Sequence, residues 1–189
     1  MTNFAVIVNT AEDIWISENK VCPDIDAVLY TLAGIIDENR WWGIEGDSFR
    51  THEMLLKLGF DELYVADLDA LTHCSLDLQY LSEIKKSTNL NVMMDAGMRN
   101  IESVEMVKQA GADKVIIALE TLRNLTDLND YLSILSPSEA IFSIDMFQGK
   151  ILSQNPTLRA MSPTEFILKF KDRVSEFIIL DLSRVGSNT

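Results

Sequence analysis

"ELYVADLDALTH" at residues 62–73 and "EFIILDLSRVGS" at residues 176–187 follow one plan. Each runs from a glutamate through an apolar stretch into Asp-Leu. Glu62 falls on Glu176, Asp67 on Asp181 and Leu68 on Leu182, all 114 residues apart. A second pair keeps the same order: "FAVIVNTAEDIWISEN" (4–19) lies on "AIFSIDMFQGKILSQN" (140–155), where Asn9 meets Asp145 at an offset of 136. The difference of 22 residues places an insertion in the first connection. Two pairs in the same order indicate a duplicated β/α half-unit.

The apolar runs set the period. Strands are predicted at 4–9, 62–67, 91–95, 114–118, 140–145 and 176–181, each short and apolar on both faces, as buried parallel strands are. Helices are predicted between them at 76–86, at 101–110 behind Asn100, at 121–131, and behind "SPTEFILKF", where Ser162, Pro163 and Glu165 spell a capping box. Alternation of this kind means an α/β fold with a parallel sheet. A half-unit of four strands, duplicated, is an eight-stranded (β/α)8 barrel of the TIM type. Six β/α units are legible, so the chain is expected to form one barrel domain over 1–189 lacking strands 7 and 8. The first connection, 17–60, is expanded, with an extra helix expected from segments at 26–38 and 48–58. Between these, Trp41 and Trp42 in "NRWWGIEGD" read as surface packing.

Bulk properties narrow the partners. Net charge is −13, which disfavours nucleic-acid backbones and anionic membranes. No stretch approaches a membrane span and the start carries no signal peptide, so a cytoplasmic protein is expected. Two cysteines, Cys22 and Cys74, read as free thiols. His52, His73 and Cys74 lack zinc spacing, so no metal and no cofactor is expected. Two open sheet edges leave room for a second copy of the chain to cover them as a homodimer.

Five motifs, "YVADLDAL" (64–71), "DAGMRN" (95–100), "IIALETL" (116–122), "IFSIDMFQGKIL" (141–152) and "ILDLSRVGSNT" (179–189), resemble the histidine-biosynthesis barrel family. That family contains an aminoaldose–ketose (Amadori) isomerase and a cyclase subunit. The wording is nearer still to the HisA/HisF-related branch of methanogens and methylotrophs, linked to one-carbon carrier cofactor pathways. The resemblance implies a TIM-type, phosphate-binding barrel that acts on a small phosphorylated metabolite. It implies an acid at the end of strand 5, which is Asp145, and a base at the end of strand 1, where this chain has Asn9. An amide removes no proton at neutral pH, so isomerase chemistry needs another carboxylate. Asp67, Asp69, Asp95 and Asp181 stand at other strand ends, where capping a turn is the competing role. The phosphate turn implied after strand 3 reads Gly97, Met98, Arg99, and the one after strand 4 reads Glu120, Thr121. Three functions stay open: an isomerase-type enzyme, a non-catalytic metabolite-binding relative or cofactor-pathway protein, and a dimerisation module.

Overall fold

The computed structural model describes the strand backbones at 5–10, 14–16 and 19–21, residues 59–67, 70–71 and 76, and residues 78–184. The helices expected at 26–38 and 48–58, the Trp41–Trp42 loop, Cys22, His52, Asp69, His73 and Cys74 lie outside the described residues. The chain divides into two compact units, one formed by 1–96 with 110–113, the other by 97–109 with 114–189.

The first unit is built on a parallel run of three strands, β1 (Ala5–Thr10), β4 (Glu62–Asp67) and β5 (Asn91–Asp95), in the order β1-β4-β5. Ala5 pairs with Glu62, and Glu62 with Asn91, so strand starts are level. Leu63, Val65 and Val92 are wholly buried, which is why these segments carry apolar residues at successive positions. A short antiparallel pair, β2 (Ile14–Ile16) with β3 (Asn19–Val21), follows β1. No hairpin was expected there. Helix α1 (Gln79–Ser87) buries Leu81 and Ile84 and places Lys85 and Lys86 in its last turn, where cations suit the negative helix end. Lys85 also donates to the Leu90 carbonyl at 2.9 Å and meets Asp113 at 2.6 Å. Asp113 in turn accepts the Val92 N–H at 2.7 Å, tying helix, loop and strand together.

The second unit contains α2 (Ile101–Gln109), β6 (Lys114–Ala118), α3 (Leu125–Ile134), β7 (Ala140–Phe147), β8 (Lys150–Ile151), α4 (Pro156–Ala160), α5 (Pro163–Phe170) and β9 (Glu176–Asp181). Strand β7 pairs in parallel with β6 on one side and with β9 on the other. Its core is aromatic. Phe142 meets Phe166 and Phe170 of α5 edge-on, at 5.2 and 5.4 Å between centroids, and Phe177 of β9 at 6.1 Å. Phe142 and Phe166 are fully buried.

Local sequence explains most boundaries. Helix α5 starts at the expected capping box: Ser162 Oγ accepts the Glu165 N–H at 3.2 Å, and Glu165 Oε2 accepts the Ser162 N–H at 2.7 Å. Helix α2 starts behind Asn100, whose Oδ1 accepts the Ser103 N–H at 2.8 Å. The third helix begins at Leu125 rather than 121, because Asn124 with Asp127 forms a second capping box and Thr121 is spent in the preceding turn. Strand β7 outruns its expected end by two residues. It turns back through Gln148 and Gly149, both at positive φ (51° and 75°), into β8. Two consecutive left-handed residues are the signature of a two-residue hairpin whose twist matches its strands. Helix α4 was not foreseen, although Asn155 followed by Pro156 is a cap signal.

Candidate functional site

In parallel α/β folds ligands dock at the C-terminal ends of strands, so the residues there define the candidate site. In each unit those ends carry acidic side chains, and side-chain alternation sorts them onto two faces.

In the second unit, Phe142 points toward α5, which places Ser143 and Asp145 on the opposite face of β7. Asp145 is half-buried, and among the described residues its carboxylate has no hydrogen-bond or ion-pair partner. Its backbone carbonyl accepts the Leu152 N–H at 2.8 Å, so the β7–β8 hairpin springs directly from it. Asp181 behaves differently. Phe177 shares the face of Phe142, and Asp181, four residues on, shares it too, opposite Met146 in the register. Its Oδ1 accepts both the Ser183 hydroxyl (2.6 Å) and the Ser183 N–H (3.1 Å), and the Ser183 hydroxyl bond is the main reason its carboxyl titrates below the usual range. Asp145 and Asp181 therefore lie on opposite faces, and Asp181 anchors a turn.

The implied phosphate turns also lie in this unit. Gly97 has a φ of 59°, a left-handed conformation that favours glycine. Met98 is buried, and the half-buried Arg99 donates its N–H to Ser103 Oγ at 3.4 Å. The Gly97–Arg99 turn leads through Asn100 into the N-terminus of α2, where backbone N–H groups and the helix dipole favour an anion. After β6, Leu119 N–H donates to the Ser143 carbonyl, Glu120 is exposed, and the Thr121 hydroxyl donates to the Ala118 carbonyl at 3.1 Å.

In the first unit, Asp67 is buried on the face of Leu63 and Val65, and its Oδ1 accepts the Ala70 N–H at 2.9 Å. It too holds the turn that leaves its strand. The aspartates that end the apolar run in both copies of the repeat thus share a structural duty. Asp95 is buried at the end of β5 and accepts the Tyr64 phenol at 2.8 Å. Tyr64 was not foreseen as a site residue; the only signal was a polar aromatic inside an otherwise aliphatic strand. Asn9 is placed by its backbone register opposite Ala66, which is opposite Asp95. Among the described residues no cluster of three metal-ligating side chains occurs, and no helix is long and apolar enough to cross a membrane.

Parallel strands alternating with helices, and polar residues gathered at the strand C-termini, are the marks of a TIM-type barrel family. The comparison with known families agrees: residues 37–189 match the family described as Histidine biosynthesis protein, and the chain belongs to it. Curated relatives carry another name, 2-phospho-L-lactate transferase. The protein of that name from Methanococcoides burtonii is 52% identical over 69 residues, covering 36% of this chain and 22% of the relative. That from Methanocaldococcus jannaschii is 45% identical over 92 residues (48% and 28%), and that from Methanococcus maripaludis strain C7 is 28% identical over 172 residues (88% and 54%). The matches thus span from about a fifth to about half of these relatives' lengths.

Proposed function

We propose that the chain is a HisA/HisF-type barrel protein of cofactor biosynthesis, acting on a small phosphorylated metabolite at the C-terminal ends of its parallel strands. The observation that carries this reading is the joint likeness: membership of the histidine biosynthesis family over 37–189, and relatives named for a phosphorylated hydroxy acid. Asp145 is the acid of the site, on the face of β7 opposite Phe142 and at the root of a hairpin. Gly97, Met98, Arg99 and the N-terminus of α2 receive the phosphate, helped by the turn at Glu120 and Thr121. The Amadori isomerase reading has less support, because Asn9 stands where that chemistry needs a base.

Calorimetric titration of the full chain with 2-phospho-L-lactate, beside an isomerase assay with the aminoaldose phosphate of the histidine pathway, tests the reading. Saturable binding of the first without turnover of the second is expected, and Asp145→Asn changes the binding enthalpy. Isomerase turnover without 2-phospho-L-lactate binding would reverse the assignment in favour of the histidine-pathway reaction.

A further inference from the structure

The internal repeat holds at the level of strand register. In the first unit Ala5 pairs with Glu62, and in the second Ile141 pairs with Glu176, so the counterparts named by the two offsets meet in the same way. Strand β9 is therefore the counterpart of β4, and Ile179 that of Val65. Beyond β4 the first unit adds β5 in parallel, with Glu62 level with Asn91. Beyond β9 no strand follows among the described residues, since β9 pairs with β7 alone. Burial records the difference. Val65 and Ala66 are 0% and 6% exposed, whereas their counterparts Ile179 and Leu180 are 51% and 42% exposed. Leu182, just past the strand, is exposed as well, so the three form a contiguous apolar patch. The backbone of β9 agrees. Leu182 donates its N–H to the Met146 carbonyl at 2.9 Å, so the backbone groups of Ile178, Leu180 and Leu182 turn toward β7. Those of Phe177, Ile179 and Asp181 turn outward. In β4 the same phase serves β5: the Asp61 carbonyl accepts the Asn91 N–H at 2.9 Å, and Leu63 and Val65 continue that row.

We infer that the outer edge of β9 takes up a parallel strand from a second copy of this chain, and that this strand is β1. An exposed apolar edge with an outward row of backbone groups is a template for strand addition. Two observations choose the partner. Strand β1 stands at the other end of the sheet order and pairs with β4 alone, which leaves its second edge without a strand among the described residues. Its segment, AVIVNT, carries no charge. Strand β9 begins with Glu176 and ends with Asp181. Antiparallel pairing of two β9 strands would set Glu176 of each copy against Asp181 of the other, and like charges directly opposite are destabilising. Parallel addition of β1 brings no second acid to the edge. Because the two edges differ, the contact is head to tail: each copy gives β1 and receives on β9, and the assembly closes as a ring. The inference concerns the sheet edge and stands apart from the ligand proposed for the strand C-termini.

Sedimentation velocity of the full chain across a concentration series, with hydrogen–deuterium exchange at both ends of the series, tests this. The wild type assembles as concentration rises, and protection is gained together at 176–182 and at 5–10. Ile179→Pro removes an outward N–H and no bond to β7, and Ile179→Lys sets a charge on the exposed edge. Both variants stay monomeric where the wild type is assembled, with far-UV circular dichroism unchanged. Leu168→Lys, at an exposed position of α5, is the control and leaves assembly intact. A wild type that is monomeric throughout overturns the inference, and so does assembly that Ile179→Lys leaves intact. Protection of 176–182 that does not depend on concentration shows the edge covered within one chain and overturns it too. Protection gained at 176–182 without 5–10 assigns the contact to β9 against itself and overturns the choice of β1.

Discussion

Replacing Asp113 with alanine removes two interactions of unequal worth, and the structure says which matters more. Asp113 Oδ2 accepts the Val92 N–H at 2.7 Å and the Lys85 ammonium at 2.6 Å. Val92 is wholly buried, so its amide has no recourse to water once the acceptor is gone. A hydrogen bond to a charged group of this kind contributes about 1.5–3 kcal/mol. The ion pair is screened, because the Lys85 and Asp113 side chains are 25% and 35% exposed, and contributes at most about 1 kcal/mol. Asp113→Ala should therefore cost about 2–3 kcal/mol, which lowers the melting temperature by roughly 5–10 °C in a chain of this length. Asp113→Asn keeps an oxygen for the Val92 amide and should cost only about 0.5–1 kcal/mol. Urea unfolding followed by far-UV circular dichroism gives the energies, and hydrogen exchange at the Val92 amide reports the bond directly. Equal costs for the two variants, with Val92 still protected in Asp113→Ala, would refute the assignment of stability to the backbone bond.

Other expectations follow from the same structure. Glu139 is pulled down from its ordinary value to about 2, first by the Ser136 N–H and then by Lys108. A depressed carboxylate stabilises the fold above its unfolded value, and that contribution fades as pH falls from about 4.5 toward 2. After discounting for exposure it is about 1 kcal/mol, which Glu139→Gln should remove from an acid-unfolding curve. Tyr131 is buried, its phenol is pushed up to about 12 chiefly by burial and then by Asp127, and among the described residues its hydroxyl has no hydrogen-bond partner. Tyr131→Phe should be neutral or stabilising within about 1 kcal/mol, and a loss beyond about 2 kcal/mol in urea unfolding would show that the hydroxyl has a partner. Asn155 Oδ1 accepts the Thr157 and Leu158 N–H groups, and its Nδ2 donates to the Arg123 carbonyl. Asn155→Ala should cost about 1–2 kcal/mol, read as faster amide exchange at Thr157 and Leu158.

Much of this architecture was legible in the sequence. The strand at 62–67 and its counterpart at 176–181 have the bounds that the repeat predicts, and so do 91–95 and 114–118, because buried parallel strands leave uninterrupted apolar runs. The offset of 136 even sets β2 on β8, two short strands that each follow a long one. What stayed hidden were features made by partners rather than by composition. The β7–β8 hairpin depends on Gln148 adopting a left-handed backbone, which glutamine does not advertise. The site was legible as residue types but not as faces. Asp67, Asp145 and Asp181 look equivalent in a row of strand-end acids, and only register and hydrogen bonding separate the two turn anchors from Asp145. The Tyr64–Asp95 contact spans 31 residues and two strands, so no local pattern could announce it.

The proposed docking of a small phosphorylated metabolite at the C-terminal ends of the parallel strands is open to direct measurement. Hydrogen–deuterium exchange of the full chain, with and without saturating 2-phospho-L-lactate or ribose 5-phosphate, tests it most directly. Ligand-dependent protection is expected at 97–101, 118–122 and 145–152, the segments that lead into α2 and leave β6 and β7. Protection confined to 87–91, 110–114 and 135–140, the segments that enter β5, β6 and β7, would contradict it.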